Sequence, residues 1–180
     1  MNTYIAILRG INVAGARKLP MKELRDLFET LDCRTIRTYI QSGNVIFEKV
    51  KIDPKAFAKT VEQRIEKQYG YDVPVIVISA HELEQTYMGN PFLKDPDIAI
   101  DELHVTFLGA LPTKQAIATI PTGQAGNDQF TIFGNTVFVY CPDGYGRTKL
   151  NNNFFEKKLN VRATTRNWKT VGELVRMSKA

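Results

Sequence analysis

Residues 3–8 are apolar at nearly every position, and residues 73–78 repeat the pattern; short runs rich in Ile and Val suit strands buried on both faces. Between them the period changes. Met21, Leu24, Leu27, Phe28 and Leu31 recur at helical spacing behind Pro20, which predicts a helix over about residues 20–31. Residues 34–40 and 44–47 are rich in β-branched and aromatic side chains and flank Gln41-Ser-Gly43, the pattern of a hairpin. Asp53 before Pro54 marks a helix start, and Phe57, Val61 and Ile65 continue one stripe as far as Gly70. The resulting order, β-α-β-β-α-β, is that of a ferredoxin-like half. Ser79 and Glu82 have capping-box spacing, so a further helix is expected to about residue 88.

The stretch Asn90-Pro-Phe-Leu-Lys-Asp-Pro-Asp97 has two prolines and no periodicity, and it divides the chain into halves at 1–89 and 90–180. After it come a strand over 103–108, a short helix from 112 to about 119, and strands over 129–133 and 136–140 around Gly134-Asn135. Helices over 150–159 and 167–178 follow. The fold class expected is therefore α+β, a ferredoxin-like βαββαβ half followed by a second, smaller α+β half of order βαββαα. Strand, helix, hairpin and helix recur in both halves, although no residue identity between them is visible. With two-face burial in the first sheet and no aromatic RNA-binding signature in Ser42-Gly-Asn-Val-Ile-Phe47, recognition of RNA on an open sheet face is disfavoured.

Composition narrows the setting more than the activity. At 180 residues with 43% hydrophobic and 24% charged side chains, the chain can bury a sizeable core. No apolar run reaches the roughly 18 residues of a membrane span, and the first residues lack the basic start and apolar length of a signal peptide; the expected setting is the cytoplasm, with no membrane partner. Cys33 and Cys141 form no disulfide framework, and no His, Cys or carboxylate cluster has metal-ligand spacing, so neither a metal nor another cofactor is expected. The formal charge is +5, and residues 145–180 hold nine basic and two acidic side chains, a surplus of +7 that leaves −2 for the rest. One-signed charge of this kind favours an anionic partner.

Candidate chemistry lies where predicted strands end. Gly10-Ile-Asn-Val-Ala-Gly15 has the glycine spacing of a phosphate loop, but Ala16 and Arg17 stand where Lys and Ser or Thr are needed, which excludes nucleotide hydrolysis there. Its backbone amides, with Arg9, Arg17 and Lys18 nearby, still suit a phosphate or carboxylate. The alternative is a loop in which Asn12 bonds its own backbone. Tyr39, Gln41, Ser42 and Asn44 gather neutral hydrogen-bonding groups at one turn; Ser42 has no histidine with a local signature to activate it. Near the end, Arg147 and Lys149 follow Gly144-Tyr-Gly146. A cap at Thr164 or Thr165 would put Arg166 and Asn167 in the first turn of the last helix, a setting that favours anions.

The chain resembles a bacterial family catalogued as domain of unknown function 1697. The residues that carry the likeness are Leu8-Arg-Gly-Ile-Asn-Val13, Lys18, Met21, Tyr39-Ile-Gln-Ser-Gly-Asn-Val45, Asn90-Pro-Phe92 and Thr164-Thr-Arg-Asn-Trp-Lys-Thr-Val171. Ala14, Ala16-Arg17 and Cys33 depart from the residues common there. The resemblance implies a cytoplasmic two-part α+β protein and assigns no activity and no catalytic residue. The residues themselves point to a small anionic or nucleotide-type ligand in a polar cleft between the halves. Arg9, Asn12, Lys18, Gln41, Ser42 and Asn44 would come from the first, and Arg147, Lys149, Arg166 and Asn167 from the second. Two other readings are nucleic acid bound on the basic C-terminal face and an enzyme acting on a phosphorylated or carboxylated metabolite.

Overall fold

Six elements in the order expected build the first sheet: β1 (Asn2–Leu8), α1 (Met21–Glu29), β2 (Arg34–Tyr39), β3 (Asn44–Lys49), α2 (Pro54–Tyr69) and β4 (Val75–Ser79). The computed structural model describes residues 1–121 and 124–180. Strand order is β2-β3-β1-β4 with every neighbour antiparallel, the ferredoxin-like arrangement. The Asp53 carboxylate accepts from the amides of Lys55 at 2.9 Å and Ala56 at 3.4 Å and so starts α2. Along β1, Tyr4, Ala6 and Leu8 face the apolar stripes of α1 and α2 and join Phe28, Phe47 and Phe57. The Phe28 and Phe57 rings lie 5.1 and 5.2 Å from that of Phe47. Ile5, Ile7, Ile46, Ile76 and Ile78 alternate to the other face and are buried as well. Neither face of this sheet is open for base stacking. Ser79 and Glu82 close the expected capping box, with the Ser79 amide 2.8 Å from the Glu82 carboxylate and the Glu82 amide 3.1 Å from the Ser79 hydroxyl, and α3 (Ala80–Met88) follows.

Further along run β5 (Leu103–Leu108), α4 (Lys114–Ala118), β6 (Gln124–Ala125), β7 (Asp128–Phe133), β8 (Thr136–Tyr140), α5 (Asn152–Leu159), β9 (Ala163–Asn167) and α6 (Trp168–Ser178). They form a five-stranded antiparallel sheet of order β6-β7-β8-β5-β9. Its core gathers Leu108, Phe130, Val137, Val139, Phe155 and Leu159. β9 is absent from the sequence reading, which expected a helix cap at Thr164 or Thr165. Both threonines are instead in the strand, and the Thr165 hydroxyl lies 2.7 Å from that of Thr106 and 2.7 Å from Asn152 Oδ1. The cap of α6 is Asn167, whose Oδ1 accepts the Thr170 amide at 2.8 Å.

The chain divides into two units, Met1–Glu84 with Leu174–Ala180, and Gln85–Glu173. With β9 in place, the second unit has the topology of the first plus β6. The register agrees too: Ile7 pairs with Asn44 and Ile76, while Phe107 pairs with Thr136 and Thr164. Beyond the paired residues, the Leu8 amide donates to the Gly43 carbonyl at 2.8 Å and the Leu108 amide to that of Asn135 at 2.9 Å. No helix among the described residues is long and apolar enough to cross a membrane.

Candidate ligand site

In the first unit, the loop after β1 folds back as a tight hairpin. The Ala16 amide donates to the Val13 carbonyl at 2.9 Å and the Asn12 amide to that of Arg17 at 3.2 Å. Asn12 joins this loop to the β2-β3 turn: its Nδ2 donates to the carbonyls of Leu19 and Gln41, both at 2.9 Å, and its Oδ1 accepts the Leu19 amide at 2.8 Å. Asn44 is fully buried and donates to the Tyr39 carbonyl at 3.0 Å and the Ser42 hydroxyl at 3.1 Å. The two polar stretches therefore meet as expected, and Asn12 and Asn44 hold them together. Gly43 permits the junction, because a Cβ there would lie 2.7 Å from Ile11 Cδ1 and 2.8 Å from Leu8 Cβ. Arg9 is half-buried on the rim; Lys18 and Gln41 are exposed and Ser42 is half-buried.

In the second unit, Arg147 and Lys149 share a recess of about 590 Å³ with Ala125, Gly126, Asn127, Asp128 and Asp143. A size of this order is typical of small-molecule sites. The Ala125–Asp128 turn enters with a positive φ only at Gly126, as a type II′ turn requires. Asp128 is 8% exposed and accepts from the Thr148 hydroxyl at 2.5 Å; that hydroxyl accepts the Leu150 amide at 3.0 Å, which fixes the segment carrying both cations. Asn127 donates to Asp143 Oδ2 at 3.1 Å. Asn127, Asp128 and Asp143 escaped the sequence reading. The signal was the Gly126-Asn127 dipeptide, a hairpin turn in its own right.

The recess also stands out against the repeated fold. In the first unit α1 is joined to β2 by residues 30–33 and β3 to α2 by residues 50–53. The corresponding connections in the second unit run over 119–127 and 141–151. Apart from Asp128 at the start of β7, every described lining residue comes from these two longer connections. Connections carried on a regular scaffold are where function concentrates.

Arg166 and Asn167 lie elsewhere. They belong to β9, at the opposite edge of the sheet from the β6-β7 turn. Arg166 is therefore not in a helical first turn: its side chain is buried, donates to the Thr165 carbonyl at 2.9 Å and the Thr164 hydroxyl at 3.3 Å, and is pushed down by burial to a pKa of about 10, still charged at neutral pH. His104 stacks on Tyr145 at 4.6 Å between ring centroids. Burial lowers its pKa, against a smaller opposing effect of a hydrogen bond with the Glu102 backbone. Cys33 and Cys141 are buried free thiols raised to about 11 by burial, too high for ready thiolate formation. Among the described residues, no three His, Cys, Asp or Glu side chains are grouped to hold a metal ion.

Residues 1–138 match a family model described as "Protein of unknown function (DUF1697)". The chain belongs to this family. Among solved structures, the conserved bacterial protein SP0830 from Streptococcus pneumoniae is similar at a TM-score of 0.68 and 24% identity, with 98% of each chain covered. That likeness shows a shared fold across both units. No curated protein matches the chain. The family carries no assigned reaction, so its members' common fold fixes where a site can lie and not what it does.

Proposed function

We propose that the protein binds a small anionic ligand of phosphate or carboxylate type, and that the recess of the second unit is its principal site. The observation that supports this reading is the pair Arg147 and Lys149 on an added loop, facing a concavity of ligand size, with no ion pair to either among the described residues. A guanidinium fork engages two oxygens of a phosphate or carboxylate, and the ammonium neutralises the remaining charge. Arg9, Lys18, Gln41 and Ser42 form a second polar rim, in the first unit, which the same reading assigns to ligand contact. Asn12 and Asn44 support that rim by holding its two loops together, whereas Asn167 has no part in it and caps α6 in the second unit. Two buried thiols without a disulfide framework favour a reducing, cytoplasmic setting.

Nucleic acid on the basic C-terminal face has weaker support. Of the charges that suggested it, Arg166 is buried, and Lys169 and Lys179 lie 2.7 and 2.6 Å from Asp101 and Glu84. Thermal unfolding with inorganic phosphate, sugar phosphates, carboxylates and short oligonucleotides separates these readings. A ligand at about 100 times its Kd adds roughly 2.7 kcal/mol and raises the melting point by a few degrees. Stabilisation by a small anion that disappears in Arg147→Ala and Lys149→Ala is expected. An unchanged response in both variants refutes the recess, and stabilisation by oligonucleotides alone, lost as salt rises, favours the basic face.

A further inference from the structure

The recess contains four charged side chains of both signs, Arg147 and Lys149 with Asp128 and Asp143. None forms an ion pair with another: the carboxylates bond to neutral groups, Asp128 to the Thr148 hydroxyl and Asp143 to the Asn127 amide. Each of those contacts uses the Oδ2 oxygen alone. Asp128 is 8% exposed and lines the recess with one hydroxyl donor on its carboxylate. Cations and carboxylates held apart on one concave wall present donors at one place and acceptors at another. A ligand that satisfies both carries an anionic group and, some distance from it, hydroxyl donors.

Resting on the anion-site reading above, we infer that the ligand is a phosphorylated sugar or nucleotide. Its phosphate is bound by Arg147 and Lys149, and a vicinal diol donates to Asp143 and Asp128. Two cations match a phosphate dianion, whereas a single carboxylate needs only one. Carboxylates free of cations are the acceptors that a diol requires, since two adjacent hydroxyls span the two oxygens of one carboxylate or bridge two. A recess of about 590 Å³ has room for a pentose with its phosphate and a base.

Titration calorimetry on the full chain tests this with ribose 5-phosphate, the common 5′-ribonucleotides, their 2′,3′-dideoxy counterparts, inorganic phosphate and free amino acids. The expected result is a preference of about tenfold for the diol over its dideoxy counterpart, the size of one charge-assisted hydrogen bond. It should shrink below about threefold in Asp143→Asn, while inorganic phosphate binds that variant as it binds the unaltered protein. Asp143 is exposed, so its variant should fold; Asp128→Asn, which keeps an oxygen for Thr148, provides the second test. Equal affinity for diol and dideoxy ligands, with dependence on Arg147 retained, overturns the diol assignment and leaves the anion site standing. Preference for amino acids over phosphates overturns the ligand class. Absence of binding by every probe, or binding unaffected by Arg147→Ala, overturns the site and this inference together.

Discussion

Two positions show how single residues set the geometry of the loops. Gly43 has φ +83° and a Cβ built there would meet Leu8 and Ile11 inside 3 Å, whereas Gly126 has φ +69° with nothing within 4 Å of the same position. Alanine at either site carries the left-handed backbone penalty of roughly 1–2 kcal/mol. Only at Gly43 does overpacking add a further 1–3 kcal/mol or so. Urea unfolding should therefore place Gly43→Ala about 2–5 kcal/mol below the unaltered protein and Gly126→Ala only about 1–2 kcal/mol below; equal losses would mean that the approach of Gly43 to Leu8 and Ile11 is not tight. His104 supplies a pH dependence with a definite sign. Burial lowers its folded-state pKa beneath the ordinary 6.5, so the unfolded chain takes up the proton first. The stability linked to this group is fully present above pH 6.5 and is lost as pH falls from there through the folded pKa. Midpoints measured between pH 7 and pH 5.5 should decline less in His104→Gln than in the parent; parallel declines would remove His104 from the account.

At the level of elements, capping and periodicity were legible where the interactions are local. Asp53, the Ser79 and Glu82 pair, and the stripes of α1 and α2 all lie where the pattern of residues put them, because each depends on neighbours within four positions. β9 was not legible. Thr164 and Thr165 before an apolar stripe read as a helix cap, yet their hydroxyls bond to Thr106, Asn152 and Arg166, partners that sequence adjacency does not reveal. The candidate residues divide the same way. That the Arg9 loop and the Gln41 turn meet could be argued from strand order, while Asp128 and Asp143 reach the wall of the recess only through the β6-β7 turn and the loop after β8. The reassigned cap has a measurable consequence. Asn167→Ala should cost about 1 kcal/mol, within a range of about 0.5–2, and Asn167→Asp should recover most of it. If alanine and aspartate unfold at the same urea concentration, Asn167 does not cap α6.

The whole molecule uses one topology twice, with matching register and different additions. The first copy lengthens the connection after its first strand, where Arg9 and Lys18 lie; the second lengthens the connections that form the recess. Both keep the same four-stranded arrangement, to which the second adds β6 at one edge. The first unit is nonetheless not continuous in sequence, since it takes in Leu174–Ala180 from the end of the chain. Leu174 is fully buried and Val175 is 7% exposed, Lys179 lies 2.6 Å from Glu84, and Arg37 Nη1 donates to the Ala180 carbonyl at 3.2 Å. The exposed ion pair adds little, whereas the two aliphatic side chains are worth about 1.5–3 kcal/mol each. A chain ending at Glu173 should therefore lose about 3–6 kcal/mol of stability in the first unit, a large share of the roughly 5–15 kcal/mol typical of a domain. Hydrogen exchange can locate that loss: amides of β1, β3 and β4 should exchange faster in the truncated chain, while those of β7 and β8 keep more of their protection. Exchange accelerated equally in both sheets would show that the C-terminal segment stabilises the chain as a single cooperative unit, and unchanged exchange in β1 would show that Leu174 and Val175 contribute nothing to the first.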